Sequence, residues 1–189
     1  KELALEILRR GLSVSLWGNI RFEKSFTPDL CRLLAHAGVI AVTGGLEVAN
    51  NRLLKKINKG VTVEDAARCA HAFQEVGIQV HAYLMYGFPG QTAQETVDGM
   101  EVVRQLFVTG VLDSAFWHRF VLTRHAPIAL APEEYQVEIL ATEGSFSKND
   151  LPHRDGLADV HDLFDEPLPR ALNAWMSGSL QGEKVNEWL

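Results

Sequence analysis

Four apolar runs in this chain are separated by segments with helical periodicity: SVSLW (13–17), VIAVTGG (39–45), IQVHAYLMYG (78–87) and SAFWHRFVL (114–122). Strands joined through helices cannot pair as hairpins, so parallel strands with right-handed crossovers are expected. The middle two runs lead into GGLE (44–47) and YGFPGQT (86–92). A parallel sheet places both turns at its carboxyl edge, the rim where α/β folds bind ligands. About four parallel strands suit either a partial barrel or an open sheet.

The helices carry their own boundary signals. Leu3, Ile7 and Leu8 share a face over 2–10, and Gly11 stops that helix. Thr27 caps the next, with Pro28 at its first position. A short helix from about Asn50 to Asn58 precedes one opened by Thr62. Thr92 and Glu95 form a T-x-x-E capping box before the helix that carries Met100, Val103 and Phe107 inward. Beyond about residue 123 the pattern weakens under five prolines. Residues 131–189 read as a mostly irregular C-terminal extension with a helix near 168–178, and residues 1–130 as the α/β unit.

With 18 basic and 24 acidic residues the net charge is −6. Nucleic-acid binders present a basic stripe, and none is visible. No apolar run approaches the roughly 18 residues of a membrane span. Two cysteines far apart, Cys31 and Cys69, argue against a disulfide framework and for a reducing cytoplasm. The chain starts within a helical pattern and without Met, which reads as an excised piece of a longer protein.

Several residues can carry chemistry at the rim. Glu47, after a strand and two glycines, either accepts hydrogen bonds from a ribose diol or an ammonium group or is a solvated loop acid. Lys59, twelve positions on, either returns to meet a carboxylate or is an exposed helix-end lysine. Gly87 and Gly90 let backbone approach a ligand, or form an ordinary strand-to-helix turn. His81 and Tyr83 share one strand face. Arg21, His81 and Arg119 are weaker candidates for substrate contacts, with Trp17, Trp117 and Arg124 also near strand ends. The histidines show no zinc-ligand spacing, and the turn at 86–92 lacks the lysine of a nucleoside-triphosphate loop.

Taken in order, WGNIR (17–21), GGLE (44–47), NKG (58–60), VGIQV (76–80) and GFPGQT (87–92) resemble the later part of a radical S-adenosylmethionine (radical SAM) barrel. The resemblance runs from about Ser13 to Leu130. It is nearest to the group whose members often carry an upstream cobalamin-binding domain. It implies a partial (β/α) TIM-type barrel whose first strands are missing here. It also implies an enzyme that cleaves SAM reductively at a [4Fe–4S] cluster to a 5′-deoxyadenosyl radical. By resemblance, Glu47 contacts the SAM ribose or methionine end, Lys59 is a basic SAM contact, Tyr83 faces SAM from its strand, and Gly87 admits SAM to the backbone.

Departures accompany these matches. GLEVAN stands where GLESGS is commoner, Gln91 replaces a glutamate, and HAPI (125–128) replaces a Gly-Thr-Pro-Leu turn. No C-x-x-x-C-x-x-C is present, and Cys31 and Cys69 fall in helical patterns. These residues alone are therefore expected to hold neither cluster nor SAM, nor any metal, and cobalamin would belong to the parent. The substrate is not legible. Self-association through an exposed sheet edge is expected. A non-catalytic binding module and an aldolase-type lyase are the alternatives, the latter needing a strand lysine for a Schiff base.

Overall fold

The computed structural model describes residues 1–141, 149–179 and 182–185. Four strands, β1 (Leu16–Ile20), β2 (Val39–Glu47), β3 (Gln79–Tyr86) and β4 (Ser114–Arg119), form one sheet in the order β1-β2-β3-β4. Every neighbouring pair is parallel. Around it run α1 (Glu2–Arg9), α2 (Pro28–His36), α3 (Asn51–Lys56), α4 (Val63–Gln74) and α5 (Ala93–Val108). This is the α/β arrangement of parallel strands that the strand–helix alternation implies, and it accords with the partial barrel that the resemblance implies. The outer edges of β1 and β4 have no strand partner among the described residues.

All the large helices cover one face. Val80, Ala82 and Leu84 of β3 are fully buried there with Phe73 of α4 and Met100 and Val103 of α5. The capping signals act as the sequence indicates. Thr27 and Asn50 each accept a backbone N–H, and Thr62 and Thr92 form complete capping boxes with Asp65 and Glu95.

The other face of the sheet is open. Trp17, Tyr83 and Phe116 stand on it at 68%, 47% and 57% exposure. The alternation along β3 is the reason, since residues two apart share a face. Helices thus cover β2 on one side only. Its Thr43 is nonetheless buried, because the Trp17 indole N–H reaches across to donate to Thr43 Oγ1 at 2.7 Å.

Strand limits differ from the expectation at the first run. Residues 13–15 are exposed approach, and the strand, expected over 13–17, runs Leu16–Ile20 and so takes in Gly18, Asn19 and Ile20. Glycine and asparagine have low strand preference, but pairing with β2 overrides it. β4 likewise ends at Arg119 rather than 122.

The later segment is more regular than its prolines suggest. A short helix α6 (Pro127–Leu130), a 3-10 turn (Pro132–Tyr135), an antiparallel pair β5 (Val137–Ile139) and β6 (His153–Asp155), and α7 (Ala158–Asp162) precede α8 (Pro167–Met176). α8 meets the expected helix near 168–178. Its Leu168, Ala171, Leu172 and Trp175 join the main core, so this segment completes the helix layer. Among the described residues no helix is long and apolar enough to cross a membrane.

Candidate functional site

The two glycines of GGLE serve opposite faces of β2. Gly44 faces the helix layer, where a Cβ would stand 2.5 Å from the Phe22 ring. Gly45 faces the open side, paired in register with Tyr83. A Cβ on Gly45 would fall 2.9 Å from Lys59 Nζ and closer still to Glu47 Oε1. The space left by that missing side chain holds an ion pair: Lys59 Nζ lies 2.6 Å from Glu47 Oε1.

Both side chains are 21% exposed, so the pair is shielded yet within reach of solvent. Two left-handed residues turn it inward. Glu47 has φ 58° at the strand end and Asn58 has φ 54° just after α3. Non-glycine residues held there carry backbone strain, a feature that concentrates at binding sites. Arg21 secures the arrangement by donating from Nη2 to the Lys59 carbonyl. Gly60 leaves the room for that guanidinium, since a Cβ there would stand 2.9 Å from Arg21 Nη2.

Beside this pair on the open face lie Tyr83 and His81, whose rings meet edge-on at 5.2 Å. His81 Nδ1 is 2.8 Å from Ser114 Oγ, and burial pushes its pKa below the ordinary imidazole value. It is a neutral, hydrogen-bonded group on the wall of the face.

The GFPGQT turn is fastened to α3. Arg52 donates to the Gly90 carbonyl at 3.0 Å and clasps Glu95, and Lys56 donates to the Pro89 carbonyl at 2.9 Å. Arg52 and the helix-start hydrogen bonds hold Glu95 down to about 2. Gln91 is buried and accepts from the Phe88 N–H at 3.2 Å, a position where a neutral amide avoids the cost of burying a charge.

The structure therefore joins Glu47, Lys59 and Arg21 and sets Tyr83 and His81 next to them. It places Gly87 and Arg119 elsewhere. Gly87 (φ 74°) turns its vacant side to Arg119 and His161, which lie 3.4 Å and 3.6 Å from a built Cβ. Arg119 pairs with Asp162 at 2.6 Å and Asp165 at 3.3 Å, on the helix side of β4. Trp117 also points to that side, in the core. Sequence reasoning missed Asp155 and His161, a buried pair 3.4 Å apart under the same turn. Their signal was absent because they come from a segment without a clear period.

Cys31 and Cys69 are free, buried and inside α2 and α4. Burial raises both thiols, Cys69 to about 12. A cluster needs thiolates that converge from an accessible loop, so these cysteines do not fit one. Among the described residues no group of three or more histidine, cysteine or acidic side chains is placed to hold a metal ion.

Residues 16–103 match the family model of the radical SAM superfamily. The chain is 30% identical over 105 residues to the anaerobic magnesium-protoporphyrin IX monomethyl ester cyclase of Rubrivivax gelatinosus, covering 54% of this chain and 19% of that protein. Among solved structures, it is similar to the radical SAM methyltransferase TsrM of Kitasatospora setae, with TM-score 0.59 and 23% identity, over 76% of this chain and 30% of that one. It is also similar to coproporphyrinogen III oxidase of Escherichia coli, described as a radical SAM enzyme, with TM-score 0.57 and 16% identity, over 88% of this chain and 36% of that one. The chain spans between 10% and 23% of the length of the curated relatives it matches. Residues 16–103, a little under half of the chain, are thus similar to the radical SAM superfamily.

Proposed function

We propose that this chain supplies one wall of the SAM pocket of a radical SAM enzyme, on the open face of its sheet. The observation that carries this reading is the Glu47–Lys59 pair, held over Gly45 at the carboxyl end of β2 and beside Tyr83. Glu47 Oε1 is taken by Lys59, and no hydrogen bond to Oε2 is formed among the described residues. That oxygen is suited to accept from a ribose hydroxyl or an ammonium group. Lys59 holds the carboxylate in place, and Arg21 holds Lys59 through its carbonyl. Tyr83 offers an exposed aromatic face against which an adenine can stack at the adjacent register position.

Bound SAM supplies hydrogen-abstraction chemistry once it is reduced. The residues of this chain bind, orient and screen it from water. The [4Fe–4S] ligands would lie outside these 189 residues, since neither cysteine here fits the role. Any cobalamin would likewise be held by other parts of the parent protein. The lyase alternative has no support, because none of the four strands of the sheet carries a lysine for a Schiff base.

The test is anaerobic iron–sulfur reconstitution of the full-length protein that carries this chain, followed by reduction with SAM present. Release of 5′-deoxyadenosine is expected. A parent that takes up no iron and releases none would leave only the non-catalytic binding reading.

A further inference from the structure

A cavity of about 420 Å³ opens at the carboxyl end of the sheet, between α3, β3 and α6. Its walls are apolar: Met85, Phe88, Phe120 and Ile128, with Tyr135 beside them. One cation enters it, Lys56 from the last turn of α3. The ammonium sits 5.6 Å from the centre of the Phe88 ring and 5.4 Å from that of Tyr135. It donates to the Pro89 carbonyl at 2.9 Å, which satisfies one of its three protons. Gly90 makes room for it, since a Cβ there would lie 3.2 Å from Nζ.

No carboxylate among the described residues is in ion-pair contact with Lys56; the nearest acidic charges, Asp155 and Glu95, act on it only at longer range. Among the described residues Lys56 forms no ion pair, whereas neighbouring Arg52 is committed to Glu95. A cation in an apolar, aromatic enclosure leaves two things open, a directly contacting counter-charge and a body to fill the space. The cavity lies within the usual size range of small-molecule sites, and it is at the rim where α/β folds take ligands. Burial and the nearby Arg52 charge lower the Lys56 pKa and outweigh the more distant Asp155 and Glu95 charges, which raise it.

We propose that this cavity binds a small apolar carboxylate, with its carboxylate on Lys56 and its aromatic or branched body among Met85, Phe88, Phe120 and Ile128. The charge complementarity fixes the polar end and the lining fixes the other. This site is separate from the Glu47–Lys59 pair and does not depend on where SAM binds.

The probes are 3-phenylpropionate and its neutral amide, titrated into this chain by isothermal calorimetry. Saturable binding of the carboxylate is expected, with the amide at least about tenfold weaker, the usual worth of a hydrogen bond to a charged group. Lys56→Met brings the carboxylate down to the level of the amide, Lys56→Arg retains most of the affinity, and Lys55→Met, on the exposed side of α3, changes nothing. Equal binding of acid and amide by the unaltered chain would overturn the proposal without recourse to any variant. So would undiminished binding by a folded Lys56→Met protein, or failure of the carboxylate to saturate at all.

Discussion

Glu47 and Lys59 meet because Gly45 has no side chain: the 2.6 Å ion pair occupies the volume where a Cβ would stand. The same dipeptide lets Phe22 press against Gly44 from the other side. A two-glycine strand end is thus a means of bringing a ring and an ion pair against one strand from opposite faces.

Gly45→Ala should push the pair apart, whereas Gly44→Ala should collide with the core. We expect Gly44→Ala to destabilise by more than about 2 kcal/mol through overpacking and Gly45→Ala by about 1 kcal/mol. Urea unfolding of both variants measures this. In a cycle with Glu47→Gln, the Gly45→Ala effect should shrink, because the interaction it disrupts is already gone.

The Arg52–Glu95 contact ties α3 to the start of α5, with Glu95 15% exposed and its carboxyl held at about 2. The folded pKa is below the unfolded value, so the stabilisation is complete above the ordinary carboxylate range. It is lost as pH falls from about 4 towards 2. Because Arg52 is largely in solvent, the contribution at neutral pH is about 1–2 kcal/mol rather than the full linkage value. Glu95→Gln should cost that much at pH 7 in urea unfolding, and the difference from the parent chain should narrow below pH 4.

Cys31 and Cys69 should resist iodoacetamide at pH 8 in the folded chain and react fully in denaturant, as read by mass spectrometry. Their raised pKa values leave little thiolate. Labelling of either thiol in the native state would contradict the core positions described for them.

His81 should stay neutral to lower pH than a free imidazole, because burial opposes its charge. With a folded pKa below the unfolded one, this residue favours folding above about pH 6.5 and loses that contribution as pH falls. Following its ring protons by NMR across pH 4–8 reads the shift, and Ser114→Ala, which removes the 2.8 Å partner, tests the hydrogen bond.

The parallel strands, the helix starts and the rim were legible because each has a local signal. Thr62 and Thr92 show their capping boxes in sequence, and the strand–helix alternation excludes hairpins. The Glu47–Lys59 contact was legible only as a possibility, since spacing alone does not say how α3 returns the lysine. Its determinants, the left-handed Glu47 and Asn58, are non-glycine positions that sequence does not flag. Gly87, expected to admit SAM to the backbone, and Arg119, a weaker candidate for a substrate contact, both turn away from that pair. Alternation puts Arg119 on the same face as Trp117, the helix side, where Asp162 of α7 pairs with it. The Lys56 cavity was invisible because its walls come from α3, β3, α6 and a 3-10 turn far apart in the chain.

The most direct test of the central claim is the affinity of SAM for the reconstituted full-length protein with Glu47→Gln, compared with the unaltered protein and with Arg119→Met. Loss of the carboxylate acceptor should weaken SAM by about tenfold or more. Arg119→Met should leave SAM affinity unchanged, because Arg119 lies on the other side of the sheet. Unchanged affinity in Glu47→Gln would contradict the account.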